Sequence, residues 1–123
     1  MNRPFALVVE DDEMLATFFA SAFDSADYET EMISDGAEAL DFLQTHVPAV
    51  VLLDLQLPHV SGEELLTFIK SHPSLEKTLV FVTSVEGIRA SYLQDEADFV
   101  LTKPVAYRQL RDLAARVHPN LVG

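Results

Sequence analysis

The chain contains no cysteine, so neither disulfides nor thiolate metal sites contribute to its fold, as suits a reducing compartment. Basic residues are scarce: 8 Lys and Arg stand against 20 Asp and Glu, a formal charge of −12. A surface of that sign repels nucleic acid and anionic membranes and argues against direct binding to either. Half of the cations, Lys103, Arg108, Arg111 and Arg116, fall in the last stretch, where they read as a solvated helix with favourable charge near its end. Long apolar runs are also missing. After Pro4 come five apolar residues and then an acidic cluster, too short a run for a signal-peptide core or a membrane span, so a cytoplasmic location is expected. No repeat, linker or low-complexity tract interrupts the chain. Its 123 residues, 49% of them hydrophobic, suit one domain over 1–123 with a single core.

What is present is an alternation of short apolar runs with helical patterns. Phe5–Val9 reads as a strand, and Leu15, Phe18, Phe19, Ala22 and Phe23 recur at helical spacing over about residues 13 to 25. A short strand at 29 to 33 follows. Ser34-Asp35-Gly36 reads as a turn, and Ala37, Leu40 and Leu43 mark a second helix that stops before Pro48. The wholly apolar run at 50 to 53 suits a strand buried on both faces. Ser61 with Glu64 three residues on is a capping-box pattern for a helix carrying Leu65, Leu66 and Ile69, ending near His72-Pro73. A strand at 79 to 82, a short helix near 88 to 95, a strand at about 98 to 101 and a last helix from Ala106 to Val117 complete five strand–helix pairs. Such alternation predicts right-handed crossovers and a parallel sheet with helices on both faces.

Four of the apolar runs end on polar groups: the first on Glu10-Asp11-Asp12, the third on Asp54, the fourth on Thr83, the fifth on Lys103-Pro104. In neighbouring parallel strands these groups meet at the sheet edge where open α/β proteins bind ligands. Ionised carboxylates about 5 Å apart repel by roughly 3 kcal/mol per pair at an effective dielectric near 20. Lys103 alone cannot offset Glu10, Asp11 and Asp54. A hard divalent cation can, and an all-oxygen, partly hydrated site suits Mg²⁺, with Mn²⁺ able to substitute. With the ion bound, Asp54, isolated at the end of its run, becomes a usable nucleophile toward a phosphoryl donor. Thr83 can donate to one phosphoryl oxygen and Lys103 can pair with another.

On these residues the chain resembles the receiver domains of two-component response regulators. The resemblance is carried by Val8-Val9-Glu10-Asp11, Asp54-Leu55-Gln56-Leu57-Pro58 with Gly62 and Glu64-Leu65, Phe81-Val82-Thr83-Ser84 and Leu101-Thr102-Lys103-Pro104, with Ser34 to Leu40 similar to the start of the family's second helix. It implies a flavodoxin-like (βα)5 sheet of order 2-1-3-4-5 and phosphorylation of Asp54 by a histidine kinase or phosphotransfer protein. It also implies Mg²⁺ on Asp11, Asp54 and the backbone carbonyl of Gln56, with Glu10 acting through water, and a cis Lys103-Pro104 bond. Thr83 would move toward the phosphoryl group and shift the surface of the fourth helix, fifth strand and fifth helix, which a downstream effector reads as monomer or phosphorylation-dependent dimer. One position departs from the family. Val100 stands where receivers often carry the Tyr or Phe of the switch; Phe99 should point to the opposite face, so a ring would have to come from Tyr92 or Tyr107.

The remaining polar residues have plainer readings. Asp12, Glu13, Asp95, Glu96 and Asp98 read as solvated acids, and His46, His59, His72 and His118 lack ligand spacing. The Gln56 side chain also stands where it can influence how water reaches a phosphorylated Asp54. Of the rival functions, a small phosphatase with Asp54 as transient nucleophile needs an acid two residues on, where Gln56 stands. A flavodoxin needs small hydroxyl residues in the first loop, which instead presents Glu10, Asp11 and Asp12. The chain thus reads as a phosphoacceptor and not an enzyme, either a stand-alone receiver or one excised from a hybrid histidine kinase or larger regulator.

Overall fold

The period of two along strands that are apolar on both sides divides the molecule into two packing layers. In the first strand, β1 (Phe5–Val9), Ala6 and Val8 enter one core while Leu7 and Val9 enter the other. In β3 (Val50–Asp54), Val50 and Leu52 face the first core and Val51 and Leu53 the second. The computed structural model describes residues 3–85 and 96–119. With β2 (Glu29–Ile33), β4 (Leu79–Ser84) and β5 (Phe99–Thr102), these strands form one parallel sheet in the order β2-β1-β3-β4-β5, as the family resemblance implies.

On one face lie α1 (Glu13–Ser25) and the last helix (Tyr107–Arg116), whose Phe19, Phe23, Leu110 and Ala114 pack with Phe81 and Leu101 of the sheet. On the other lie α2 (Gly36–Leu43) and α3 (Gly62–Ser71), through Ala39, Leu43, Leu65, Leu66 and Ile69. Phe23 and Tyr28 meet edge to face at 5.5 Å, both fully buried; sequestering one such large apolar side chain is worth roughly 1.5–3 kcal/mol. The Tyr28 hydroxyl donates to the Ala114 carbonyl at 2.8 Å, and burial pushes its pKa up to about 12, so it stays a donor.

Helix starts follow local capping chemistry. Asp12 caps α1 and Ser61 caps α3 through its hydroxyl and the Glu64 N–H. The expected turn at Ser34-Asp35-Gly36 is tighter than read, for Asp35 is itself the cap of α2 and Gly36 its first residue. β4 runs two residues beyond its apolar stretch because Thr83 and Ser84 continue the ladder with Leu101 and Thr102. The helix expected near 88 to 95 lies outside the described residues.

The turn from β3 into α3 is drawn tight against the strand it has just left. The Gly62 N–H donates to the Leu55 carbonyl at 3.2 Å, and a Cβ at Gly62 would lie 2.2 Å from the Asp54 carbonyl oxygen. No side chain fits there without moving the backbone of Asp54. Gly62→Ala is therefore expected to lower the unfolding free energy by about 3 kcal/mol in urea denaturation. A loss under about 0.5 kcal/mol would show that this approach is not a constraint.

Candidate functional site

The same parity that fills the cores aims the polar ends. Glu10 extends the β1 face of Ala6 and Val8, its N–H still bonded to Ile33 of β2 at 3.1 Å. Asp54 follows Val50 and Leu52, Thr83 follows Phe81, and Lys103 follows Phe99 and Leu101, its N–H bonded to the Ser84 carbonyl at 2.8 Å. All four thus project from the C-terminal edge of the sheet toward the side of α1 and the last helix.

Lys103 Nζ donates to Asp54 Oδ2 at 2.9 Å and to Glu10 Oε1 at 3.3 Å. Glu10, Asp11 and Asp54 each offer a carboxylate oxygen, all within 4.8 Å of one another. Asp54 and Glu10 are buried, and Asp11 is exposed at the rim. The second oxygen of Asp54, Oδ1, accepts the Gln56 N–H at 3.1 Å, and Gln56 itself is exposed. Thr83, wholly buried and in register with Asp54, donates its hydroxyl to the Leu53 carbonyl at 3.4 Å. The Lys103–Pro104 bond is cis, as the resemblance implies.

Burial pushes the Glu10 carboxyl up to about 7, with the nearby Asp54 charge acting the same way against the Asp12 N–H and Lys103. For Lys103 burial works toward the neutral form, but its bonds and attraction to Asp54 and Glu10 outweigh it and raise its pKa. One ammonium therefore leaves negative charge over. The donor set of oxygens alone, with one side open to water through Asp11, fits a hard divalent cation such as Mg²⁺ and offers no nitrogen or sulfur to a softer one.

Some residues stand where the sequence reading did not put them. Asp12 is more than a solvated acid: its Oδ1 accepts the Leu15 N–H at 3.0 Å and its N–H donates to Glu10 Oε2 at 3.1 Å, so the cap of α1 also holds Glu10. An Asp directly before a helical pattern, here just ahead of Glu13 and Met14, is the signal that locates it. Asp98 Oδ2 accepts the Val80 N–H at 2.7 Å and Lys70 Nζ at 3.1 Å, tying α3 to the start of β4. Val100 packs into the α2–α3 core and Phe99 into the other, on opposite faces as expected. Tyr107 lies edge-on to Phe18 of α1 and its hydroxyl donates to the Ser21 carbonyl; Tyr92 lies outside the described residues. His59 pairs with Asp35, His46 stacks on Phe42, and His118 packs on Tyr28.

A folded-state pKa near 7 for Glu10, above its ordinary 4.5, means the folded chain keeps a proton that the unfolded chain has released. The resulting stabilisation is complete below the ordinary value and is lost as pH rises toward 7. Urea midpoints measured in EDTA should therefore fall between pH 5.5 and pH 7.5 in the parent and fall less in Glu10→Gln. Equal slopes in the two proteins would contradict the assignment.

The family model of the response regulator receiver domain matches residues 6–115. The polar-differentiation response regulator DivK of Brucella anthropi is 41% identical over 56 residues, 46% of this chain and 46% of that protein, so the aligned stretch spans about half the relative's length. The receiver domain of the Francisella response regulator 1452 superposes with a TM-score of 0.83 at 25% identity, over 96% of this chain and 98% of that one. The Mn²⁺-bound form of response regulator Rcp1 does so with a TM-score of 0.76 at 25% identity, over 93% and 91%. Sheet order, the carboxylate cluster beside Lys103 and the family match agree, and the chain belongs to the receiver domains of two-component response regulators, whose role is phosphoacceptor signalling.

Proposed function

We propose that Asp54 accepts a phosphoryl group from a phosphohistidine on a partner kinase or phosphotransfer protein, and that residues 1–123 act as one cytoplasmic receiver domain. The observation that carries this reading is a buried carboxylate at a strand end, 2.9 Å from a lysine and within 4.8 Å of two further carboxylates. An Asp54 oxygen forms the bond to phosphorus as the bond from phosphorus to the donor imidazole nitrogen breaks, and the imidazole leaves with that electron pair. Lys103 exchanges one of its carboxylate bonds for a phosphoryl oxygen. Asp11, Asp54 and the Gln56 carbonyl, with Glu10 through water, would hold Mg²⁺ or Mn²⁺, which supplies neutralisation of the two approaching anions. The Gln56 side chain, exposed beside Asp54, influences the access of hydrolytic water.

Thr83 links this chemistry to the surface. Its hydroxyl, bonded to the Leu53 carbonyl at 3.4 Å, turns to a phosphoryl oxygen and moves the end of β4. With Val100 in place of a ring, the shift passes through the β4–β5 pairing of Thr83 with Leu101 to the surface of β5 and the last helix; the fourth helix expected to share that surface lies outside the described residues. An effector protein reads that surface, on a monomer or a phosphorylation-dependent dimer. The protein assists its own phosphorylation and dephosphorylation without turning over a substrate.

The donor has a landing place beside the site. Met14, Leu15, Phe18, Lys103, Pro104 and Val105 line an apolar groove of about 570 Å³, and Met14 is 83% exposed. Exposed apolar surface of this kind next to a reacting group suits a partner's histidine-bearing helix.

Incubation with acetyl phosphate and MgCl₂ should add about 80 Da to the intact mass, and Asp54→Ala should abolish the gain. No gain, or an undiminished one in Asp54→Ala, would overturn the reading. Met14→Glu should slow transfer from a phosphohistidine protein severalfold while labelling by acetyl phosphate proceeds at the parent rate. Equal slowing of both would place Met14 in the chemistry and not in docking.

A further inference from the structure

The loop that follows Asp54 is fastened to a part of the fold outside the phosphoacceptor site. His59 Nδ1 donates to Asp35 Oδ2 at 2.6 Å, while Asp35 Oδ1 accepts the Ala37 and Glu38 N–H groups at 2.7 and 3.4 Å. One carboxylate thus caps α2 and grips the β3–α3 loop together. Alongside it the Gly36 N–H donates to the Pro58 carbonyl at 3.2 Å, and a Cβ at Gly36 would lie 1.8 Å from the Val60 carbonyl oxygen. Two backbones are pressed together there.

His59 holds φ at 69°, the left-handed region that few residues other than glycine occupy, histidine being among those that enter it more often. Its side chain is 71% exposed, so burial does not hold it in that conformation. The backbone bond from the Val60 N–H to the Pro58 carbonyl at 2.8 Å closes a tight turn around His59, and the bond to Asp35 ties that turn to α2 while holding the Asp35 carboxyl below its ordinary pKa. At its other end the same loop is tied to the site by the Gln56 N–H on Asp54 Oδ1 at 3.1 Å.

We propose that His59 is a positioning residue: its bond to Asp35 fixes the Gln56–Val60 loop, and so sets where the Gln56 backbone stands against the Asp54 carboxylate and the divalent ion. This rests on the phosphoacceptor reading of Asp54 and adds to it a second layer of support, drawn from the α2 cap. Groups that hydrogen-bond metal ligands from outside typically change metal affinity about 10–100-fold when removed, and His59 acts one loop further out.

Two substitutions isolate the bond from the backbone. His59→Gly suits the positive φ and removes the imidazole; His59→Asn also tolerates that region and places an amide Nδ2 where Nδ1 stands. Each variant is titrated with MgCl₂ and followed by amide chemical shifts, with its melting temperature recorded alongside. The expected result is about tenfold weaker Mg²⁺ binding in His59→Gly, at the low end of outer-layer effects, with most of it restored in His59→Asn. Parent-like affinity in His59→Gly, or no restoration in His59→Asn, overturns the proposal. Phosphoryl uptake by the parent is scored separately. Its absence overturns the functional reading and the role of His59 within it, whereas uptake with equal Mg²⁺ affinity in parent and His59→Gly overturns the role of His59 alone.

Discussion

Three carboxylates within 4.8 Å of one another, with one lysine ammonium among them, set the condition to which the C-terminal edge of this sheet is fitted. Mutual repulsion of a few kcal/mol is a large share of the roughly 5–15 kcal/mol that holds a domain together. The crowding is tolerated because it is built on strands whose other residues are buried on both faces. Glu10 is held by the Asp12 N–H and Lys103, and Asp54 by Lys103 and the Gln56 N–H. The part of the charge left uncompensated is what makes the site receptive to a divalent cation and then to a phosphoryl group.

Placement of these groups costs the fold little beyond what it needs for packing. The period of two that sends Val8, Leu52, Phe81 and Leu101 toward α1 and the last helix also sends Glu10, Asp54, Thr83 and Lys103 to that side of the edge. Glycine supplies what side-chain alternation cannot. At Gly62 the chain turns back against Asp54, and at Gly36 it lies against the loop that follows, so the phosphoacceptor strand is flanked by two backbone contacts that tolerate no Cβ.

Much of this was legible in the sequence because periodicity and strand-end chemistry act locally. The strands at 29–33 and 50–53, the second continuing one residue further to Asp54, the Ser61 cap and the polar ends at Glu10, Asp54, Thr83 and Lys103 each follow from a few neighbouring residues. The strand order did not; it came from the family resemblance, since alternation alone leaves the order open. Asp98 and His59 are exposed, as solvated groups should be, but their partners, Lys70 and the Val80 N–H for one and Asp35 for the other, are far away in sequence and were not legible there. Tyr107 was left open as a switch ring for the same reason, and its contact with Phe18 of α1 emerges only from the packing of the two helices.

Uncompensated carboxylate charge at the sheet edge both weakens the ion-free fold and recruits the ion. Asp11→Asn tests it most directly, because Asp11 is exposed and the change removes one charge from the cluster with little change in volume. Melting temperatures are compared at neutral pH in EDTA and in MgCl₂. Asp11→Asn is expected to melt higher than the parent without the ion and to lose most of the rise that MgCl₂ gives the parent. A variant that melts lower in EDTA and keeps the full response to MgCl₂ would contradict it.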